Sequence, residues 1–373
     1  MNLFMNIKLY VFILFAFLLN FNNLQASEPH SANEESFNLK EMIFHHVLDT
    51  YEWHIITLGA NDISLPLPVI VRSPERGWFV FSSAKLREGR SYQGFRINHG
   101  EKYNGKIVEK LSNGTEVRPL DISFTKDASA IMLSCIILII AFVSMAQSYK
   151  KNPLKARKGL FGALEMLIVA IVDDVIKPSI GKDYKRFTPY LLTAFFFILL
   201  NDLLGLIPIY PAGANVTGNI AVTLVLALLT FIITNVSAGK EYYKEIFWPD
   251  VPMWLKFPIP IMPLVEILGV FTKPFALMIR LFANILAGHM IILVLMGLIF
   301  IFYVVLGPLA ASGVSVLSIA FSVFMLLLDV LVSFIQAYVF TMLSALFIGM
   351  GRVESHHKPL ANSTELMSNP NRE

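Results

Sequence analysis

Two long apolar stretches near the C-terminus limit the folds that this chain can adopt. Residues 258–306 and 314–349 are apolar over almost their whole length. As one straight α-helix the second stretch would be about 54 Å long, whereas the hydrocarbon core of a bilayer is about 30 Å thick. The two stretches therefore predict membrane helices that are either broken or strongly tilted.

The composition of the whole chain indicates the same class of protein. Of its 373 residues, 55% are hydrophobic and 15% are charged, and the mean hydropathy is +0.62. Soluble domains are about 45–50% apolar and about 25% charged. The net charge of +3 is too small to indicate a nucleic-acid partner. The single cysteine, Cys135, excludes an internal disulfide and a cysteine metal site.

The N-terminal third is predicted to leave the cytoplasm. Residues 1–26 resemble a signal peptide, with Lys8 before a short apolar core and a small residue before Ser27. The alternative is an uncleaved anchor, but an apolar core of about 13 residues is short for a span. Residues 27–125 are polar, with a helical period over 37–54 followed by short strand-like runs. We expect a small exported α+β domain.

A group of possible metal ligands lies in that predicted helix. It comprises His45, His46, Asp49, Glu52 and His54. On a helix, His45, Asp49 and Glu52 would share one face, and a zinc site needs three or four converging ligands. A solvated polar surface is the alternative, and the sequence leaves the choice open.

The remaining chain predicts an all-α polytopic membrane domain with about five membrane helices, of which the last two are long and strongly tilted. The first span, 128–148, precedes a basic run that contains no acid, so this end is predicted to be cytoplasmic. An amphipathic surface helix is expected over 159–181.

The predicted divisions are 1–26 signal peptide, 27–125 periplasmic domain, 126–350 membrane domain and 351–373 cytoplasmic tail. The expected location is a bacterial inner membrane.

One predicted membrane helix contains an arginine, Arg280. A charge at the centre of a membrane helix costs about 2.5–3.5 kcal/mol on insertion scales. On a helix Asn284 lies about 40° around from Arg280, whereas His289 lies about 180° away and about 13.5 Å along the axis. A structural salt bridge inside a helix bundle is the alternative to a functional charge.

The last predicted helix carries polar residues that could pair with those of the helix containing Arg280. Asp329 and Gln336 are seven residues apart and share one helix face. An antiparallel hairpin through 307–313 would bring Asp329 towards His289, and Gln336 towards Arg280. Acids and histidines that line a cavity in a membrane are typical of a proton path. A buried hydrogen-bonded pair without a transport role is the alternative for His289 and Asp329.

Further acids, Glu165, Asp202 and Glu266, lie in or beside apolar segments. Asp202 has a second interpretation, because it is close enough to a span end to reach an interface.

Four segments together resemble subunit a of the F-type ATP synthases. They are "NDLLGLIP" from residue 201, "PLVEILGVFTKPFALMIR" from 263, "KPFALMIRLFANILAGHMIILVLMG" from 273 and "SFIQAYVFTMLSALFIG" from 333. The resemblance covers about residues 125–350, and the segments follow in the order and spacing expected of that family. Residues 1–125 depart from the compact family pattern, so the resemblance implies nothing about them.

The resemblance implies a role for each intramembrane polar residue. Arg280 matches the essential arginine that faces a rotating ring of c subunits and separates two aqueous half-channels. Asn284 and Gln336 match polar residues near that arginine. Asp202 and Glu266 match positions associated with the half-channels.

His289 and Asp329 match an acid–imidazole pair whose order along the chain is exchanged between family members. The resemblance also implies a non-catalytic subunit without a cofactor. Its partners would be the c ring, the b subunits of the peripheral stalk, membrane lipid and, indirectly, the catalytic head.

Three other functions compete with this interpretation. Sodium could replace the proton as the coupling ion, because the ion-binding carboxylate lies on another chain. An unrelated ion transporter would show inverted repeats, and this sequence has no such duplication. A membrane-anchored binding protein would need only one span, whereas polar residues lie in several apolar segments of this chain.

Overall fold

The computed structural model describes residues 49–58, 61–98, 100, 103, 105–111, 115–151, 159–207, 213–248 and 261–352. The predicted signal peptide and nearly all of the predicted C-terminal tail lie outside the described residues. His45 and His46 also lie outside them, so their proposed part in a metal site stays a prediction.

The N-terminal described region is built from short antiparallel strands. They are β1 Glu52–Leu58, β2 Asn61–Pro66, β3 Pro68–Ser73, β4 Gly77–Ser82, β5 Phe95–Asn98, β6 Lys106–Lys110, β7 Glu116–Val117 and β8 Leu120–Asp121, with a 3-10 helix over Ser83–Gly89. They form a β1–β2 hairpin and two three-stranded sheets ordered β4-β3-β8 and β5-β6-β7. Alternate side chains of β3, among them Val69 and Val71, are buried in one core with Phe81 and Phe95. We call this part the sheet domain.

The predicted strands are confirmed, but the end of the predicted helix over 37–54 is wrong. Glu52, Trp53 and His54 lie in β1 and pair with β2. The β-branched run that follows at 55–57 favours a strand, and β2 supplies the hydrogen-bonding partner.

The proposed helical face of metal ligands is therefore lost, because Glu52 does not lie on a helix. Glu52 instead accepts a hydrogen bond from Arg87 Nε at 2.9 Å. Among the residues that the structure describes, no group of three or more His, Cys, Asp or Glu could hold a metal ion.

The rest of the described chain is helical. The helices are α1 Lys126–Lys151, α2 Leu160–Ala170, α3 Lys177–Ile180, α4 Tyr184–Leu206, α5 Ile220–Ser237, α6 Lys240–Phe247 and α7 Ile261–Met350. In the described chain, four helical segments are long and apolar enough to cross a membrane: Lys126–Lys151, Ile220–Ser237, Met262–Tyr303 and Ser312–Met350. Helix α4 packs with these segments, and Leu191, Phe195 and Ile198 bury one of its faces in the bundle. The predicted helical membrane fold is confirmed.

The region 159–181, predicted as one amphipathic helix, is an interrupted helix in the structure. A π-helical turn over Ile171–Ile176 joins α2 to α3. Ile171, Val175 and Ile176 point into the core of the bundle, whereas Asp173 and Asp174 are exposed. The wider turn lets adjacent residues 175 and 176 both reach the core while the two acids remain outside.

Helix α7 is a hairpin of two arms. Gly307 has φ 81° and ψ 176°, a conformation that favours glycine, and it breaks the helix there. We call Met262–Tyr303 the first arm and Ser312–Met350 the second arm. Asn284 Nδ2 donates to Gln336 Oε1 at 3.1 Å, and the Lys273 ammonium lies 5.8 Å from the centre of the Phe347 ring. These contacts confirm the predicted antiparallel register.

The arms have 42 and 39 residues. They would be roughly 63 and 58 Å long as straight helices, so both exceed the thickness of a bilayer core of about 30 Å and must cross it at a tilt.

Hydrogen bonds at the helix termini define two ends of the bundle. At the sheet-side end, Asn219 Nδ2 donates to Asp127 Oδ2 at 2.8 Å. At the C-terminal end, Gly239 N donates to Gly351 O at 2.8 Å, and Arg352 pairs with Asp183. The sheet domain and the last described residues therefore lie at opposite ends of the helix bundle.

This arrangement predicts that the two chain ends lie in different compartments. A reporter fused after Lys110 should be active on one side of the membrane, and a reporter fused after Asn369 should be active on the other. A fusion after Ser237, at the C-terminal end of the bundle, is the internal control and should agree with the Asn369 fusion. The same compartment for the Lys110 and Asn369 fusions would show that the number of crossings is even.

Candidate functional site

Arg280 lies on the exposed side of the first arm. The side chains around it on that face are small: Ala276, Ala283 and Ala287, all of which are exposed. Within the described residues, Arg280 forms no ion pair and no hydrogen bond, so the predicted alternative of a salt bridge inside the bundle is not observed. Small residues allow close approach of a second helix. The face therefore presents a cation on a surface that another helix could contact.

A polar link connects this face with the interior. Asn284 is exposed one turn after Arg280, and its amide donates to Gln336, which is only 3% exposed. The hairpin thus brings Gln336 close to the Arg280 face, as predicted, with Asn284 between them. Removing the Asn284 amide would leave the buried Gln336 oxygen without this donor, which costs about 1–3 kcal/mol.

Three titratable side chains that the sequence predicts for a proton path line one small cavity. We call it the sheet-side cavity; its lining includes Asp202, Asn284, Gly288, His289, Asp329 and Ser333. Its volume of about 10 Å³ is close to the space that one water molecule needs. Residues from α4 and from both arms of α7 contribute, so only the folded bundle brings the three together.

Asp202 lies inside the bundle, which contradicts the alternative that it reaches an interface. It is 2% exposed, and the Thr217 hydroxyl donates to its Oδ1 atom. Its Oδ2 atom is buried and has no hydrogen-bond partner in the described part of the chain. A buried acceptor without a partner is costly, so this oxygen is suited to receive a proton or a hydrogen bond from water.

His289 and Asp329 share the cavity but are not hydrogen-bonded to each other. The His289 ring packs against Gly205 of α4, where an added Cβ would lie 3.4 Å from Nε2. The Asp329 carboxylate packs against Gly288 of the first arm, where an added Cβ would lie 2.6 Å from Oδ1. Among the described residues no hydrogen bond joins the two side chains, so a buried hydrogen-bonded pair is not observed. Proton exchange between them remains a prediction.

A second cavity lies towards the C-terminal end of the bundle. Thr230, Thr234, Asn235, Tyr242 and Lys273 are among its lining residues, and its volume is about 20 Å³. We call it the C-terminal cavity. Burial, followed by the charges of Tyr243 and Glu266, raises the pKa of Tyr242. Glu266, predicted to belong to a proton path, is therefore close to this cavity.

The two cavities lie on either side of Arg280 along the first arm. Lys273, in the C-terminal cavity, precedes Arg280 by seven residues, or about 10.5 Å of helix. Gly288, in the sheet-side cavity, follows it by eight residues, or about 12 Å. Arg280 thus lies at a level between two separate polar sites.

The family is decided by comparison with known proteins. A family model described as ATP synthase A chain matches residues 129–349. The chain belongs to this family. The match includes every intramembrane polar residue discussed above, and it confirms the resemblance to subunit a. Residues 42–122 match a separate model, described as a domain of unknown function.

Individual relatives agree with the family model. The chain is 47% identical over 247 residues to "ATP synthase subunit a 2" of Chlorobaculum tepidum, covering 64% of this chain and 66% of the relative. It is 42% identical over 249 residues to ATP synthase subunit a of Chloroherpeton thalassium, covering 65% and 70%. For subunit a of Myxococcus xanthus the identity is 44% over 264 residues, covering 69% and 80%. The chain thus spans slightly less than two thirds of the length of the first of these relatives.

Membership of this family makes the chain a multi-pass subunit of the membrane sector of an ATP synthase. The sequence predicts Arg280, Asp202, His289 and Asp329 as residues of the site. It missed Thr217, which donates to Asp202, because a threonine in an uncharged loop carries no periodic signal. It also missed Tyr242 and Lys273, which reach the C-terminal cavity from two different helices.

The contact between Gly288 and Asp329 yields a prediction about ATP synthesis. Gly288→Ala should displace the Asp329 carboxylate, because the added methyl group would lie 2.6 Å from Oδ1. A displacement of this size should lower the rate of ATP synthesis by membranes between about 10- and 100-fold. Gly269→Ala on the same arm is the matched control, since a Cβ there would have no neighbour within 4 Å. Equal rates for the two variants, at equal amounts of assembled complex, would contradict the prediction.

Proposed function

We propose that this chain forms two half-channels that carry protons to and from a ring of c subunits, with Arg280 separating them. The observation that carries the proposal is an unpaired arginine on an exposed apolar face, at a level between two polar cavities. Nothing in the described part of the bundle compensates its charge. A partner on another chain would do so, and the small residues beside Arg280 leave room for that partner's helix.

The proposed partner is a carboxyl group carried by each c subunit. It crosses the lipid-facing part of its path in the neutral, protonated form, because a charge there is costly. When the ring brings it to Arg280, the nearby cation stabilises the carboxylate, and the proton leaves on one side. After the carboxylate passes Arg280, a proton from the other half-channel neutralises it.

The sheet-side cavity supplies the groups for one half-channel. Asp202, His289 and Asp329 can each accept and release a proton, and the cavity has room for about one water molecule that could link them. Asn284 and Gln336 lie between this cavity and the exposed face of the first arm. They therefore provide a polar route from the cavity to the c ring.

The C-terminal cavity supplies the other half-channel. Its hydroxyl and amide groups, together with Tyr242 and the nearby Glu266, provide donors and acceptors at the opposite end of the bundle. Lys273 adds a positive charge there. The two cavities share no lining residue, so they are two separate polar sites on either side of Arg280.

Arg280 has a second task in this mechanism. A fixed cation between the half-channels repels protons that would otherwise pass directly from one to the other. Each proton that travels by way of the ring releases about 2.3 kcal/mol per 100 mV of membrane potential. A leak would lose that energy without turning the ring.

The domain division and the cellular location belong to the same proposal. We infer a signal peptide over 1–26, a periplasmic domain over 27–125, a membrane domain over 126–350 and a cytoplasmic tail over 351–373. The basic run after α1 supports a cytoplasmic C-terminal end in a bacterial inner membrane. The subunit is proposed to be non-catalytic, and to contact the b subunits and, through them, the catalytic head.

Removal of the guanidinium tests the central assignment. Arg280→Ala should reduce proton-driven ATP synthesis to background while the complex still assembles, because the side chain is exposed and stabilises no described contact. Arg280→Lys should also fail, because a compact ammonium is more strongly hydrated and lacks the planar, delocalised charge. Synthesis rates and the amount of copurified c ring are measured together.

The control for both variants is Arg186→Ala, which removes an exposed arginine near the start of α4 and should leave synthesis unchanged. Normal synthesis by either Arg280 variant would overturn the proposal. Assays with proton and sodium gradients applied separately identify the coupling ion, and synthesis driven only by sodium would contradict the proton assignment.

The sheet-side cavity provides a second test of the proposal. His289→Ala and Asp329→Ala should each impair proton pumping, because each removes a proton-carrying group from the same cavity. The exchanged double variant, His289→Asp with Asp329→His, should recover part of the loss, since the acid and the imidazole again line one cavity. Pumping by inverted vesicles is compared among the single and double variants. Pumping no better than the product of the two single defects would mean that the residues act independently.

A further inference from the structure

The sheet domain is joined to the first membrane helix by more than the chain connection. Asp49 Oδ1 accepts a hydrogen bond from Asp127 N at 3.1 Å, and Thr50 O accepts one from Lys126 N at 2.9 Å. The first backbone N–H groups of a helix have no partner inside the helix. Residues 49 and 50 supply these partners, so the chain entering β1 caps the N-terminus of α1.

Trp53 forms an apolar contact at the same place. It is 5% exposed and packs in one cluster with Ala130 of α1 and with Ala214 and Val216. The latter two belong to the described part of the loop between α4 and α5, residues 213–219, which we call the cover loop. The indole ring therefore lies between the sheet domain, the first membrane helix and the cover loop.

The cover loop reaches the sheet-side cavity directly. Thr217, the residue after Val216, donates its hydroxyl hydrogen bond to Asp202. Gly213 N donates to Leu204 O at 3.0 Å, and Ala214 O lies close to Gly205, against which His289 packs. Any movement of the loop away from Trp53 would therefore change the surroundings of both Asp202 and His289.

We propose that Trp53 is a positioning residue that holds the cover loop closed over the sheet-side cavity, so that the sheet domain controls solvent access to Asp202. The proposal rests on the proposed function, because it assigns the cavity to a proton path. It gives the exported domain a role in ion access. Buried aromatic side chains contribute strongly to such contacts through their large apolar area.

A second tryptophan of the sheet domain provides a matched control. Trp78 lies in β4, is 55% exposed and contacts Arg72, whose guanidinium carbon is 5.8 Å from the ring centre. Both side chains are indoles in strands of the same domain. Only Trp53 contacts the cover loop, so the two substitutions separate loop positioning from a general loss of a tryptophan.

The test measures the access of a thiol reagent to the cover loop in the assembled complex. Cys135→Ser removes the native thiol, and Thr217→Cys introduces one at a position that is 1% exposed. A membrane-impermeant maleimide is added from the side of the sheet domain, without a proton gradient. Trp53→Ala should raise the labelling rate at least about tenfold, because loss of a buried aromatic ring favours opening of the loop. Trp78→Ala should leave the rate unchanged, and Trp53→Phe should restore most of the protection.

A reference thiol distinguishes opening of the loop from unfolding of the sheet domain. Ser83→Cys places a thiol at a fully buried position of that domain, away from the loop. The proposal expects Trp53→Ala to increase labelling at 217 but not at 83. If both positions become reactive, or if the complex fails to assemble, Val216→Ala tests the same contact from the loop side. Unchanged labelling at 217 in Trp53→Ala, or in Val216→Ala where that variant is needed, overturns the proposal.

The result is independent of the test of Arg280. Increased labelling at 217 together with normal synthesis by Arg280→Ala would keep the covering role of Trp53 and overturn the proposed function. Unchanged labelling at 217 together with inactive Arg280 variants would overturn the covering role of Trp53 and keep the proposed function.

Discussion

The antiparallel packing of the two arms of α7 is the contact on which the rest of the site depends. It places Asn284 against Gln336 and Gly288 against Asp329, although each pair is separated by at least 41 positions along the chain. A shift of one residue in this register would rotate each polar side chain by about 100°. The cavity would then lose the carboxylate of Asp329, and Asn284 would lose its amide partner.

The acid Asp202 and the cation Arg280 have opposite environments, since one is buried in the bundle and the other is exposed on its surface. Asp202 is buried and oriented into the bundle, where Thr217 and the cavity compensate its polar atoms in part. Arg280 is exposed on an apolar face, with no compensating group in the described chain. In a membrane such an arrangement is favourable only when another chain covers the arginine. The groups proposed to carry the proton thus lie inside the subunit, whereas the arginine proposed to act on the ring lies on its surface.

The sheet domain contacts the helix bundle at two places. Asp49 caps the first membrane helix, and Trp53 packs against the loop that reaches Asp202. The sheet domain and the sheet-side cavity are therefore connected through contacts of a few residues. The helical arrangement of metal ligands, one of the two alternatives for this region, is lost at Glu52, because strand pairing with β2 outweighs the helical period of the preceding sequence.

The sequence alone predicted the membrane class, the strands of the sheet domain, the hairpin of the last two helices and the candidate polar residues of the site, since hydropathy and the high cost of intramembrane charges are local properties. The tertiary structure decided which of these residues meet. Asp202, His289 and Asp329 come from α4 and from both arms of α7, and Thr217 and Trp53 reach the same region from a loop and a strand. Helical periodicity assigns each residue to a face of its own helix, but it contains no information on which face of another helix it will contact.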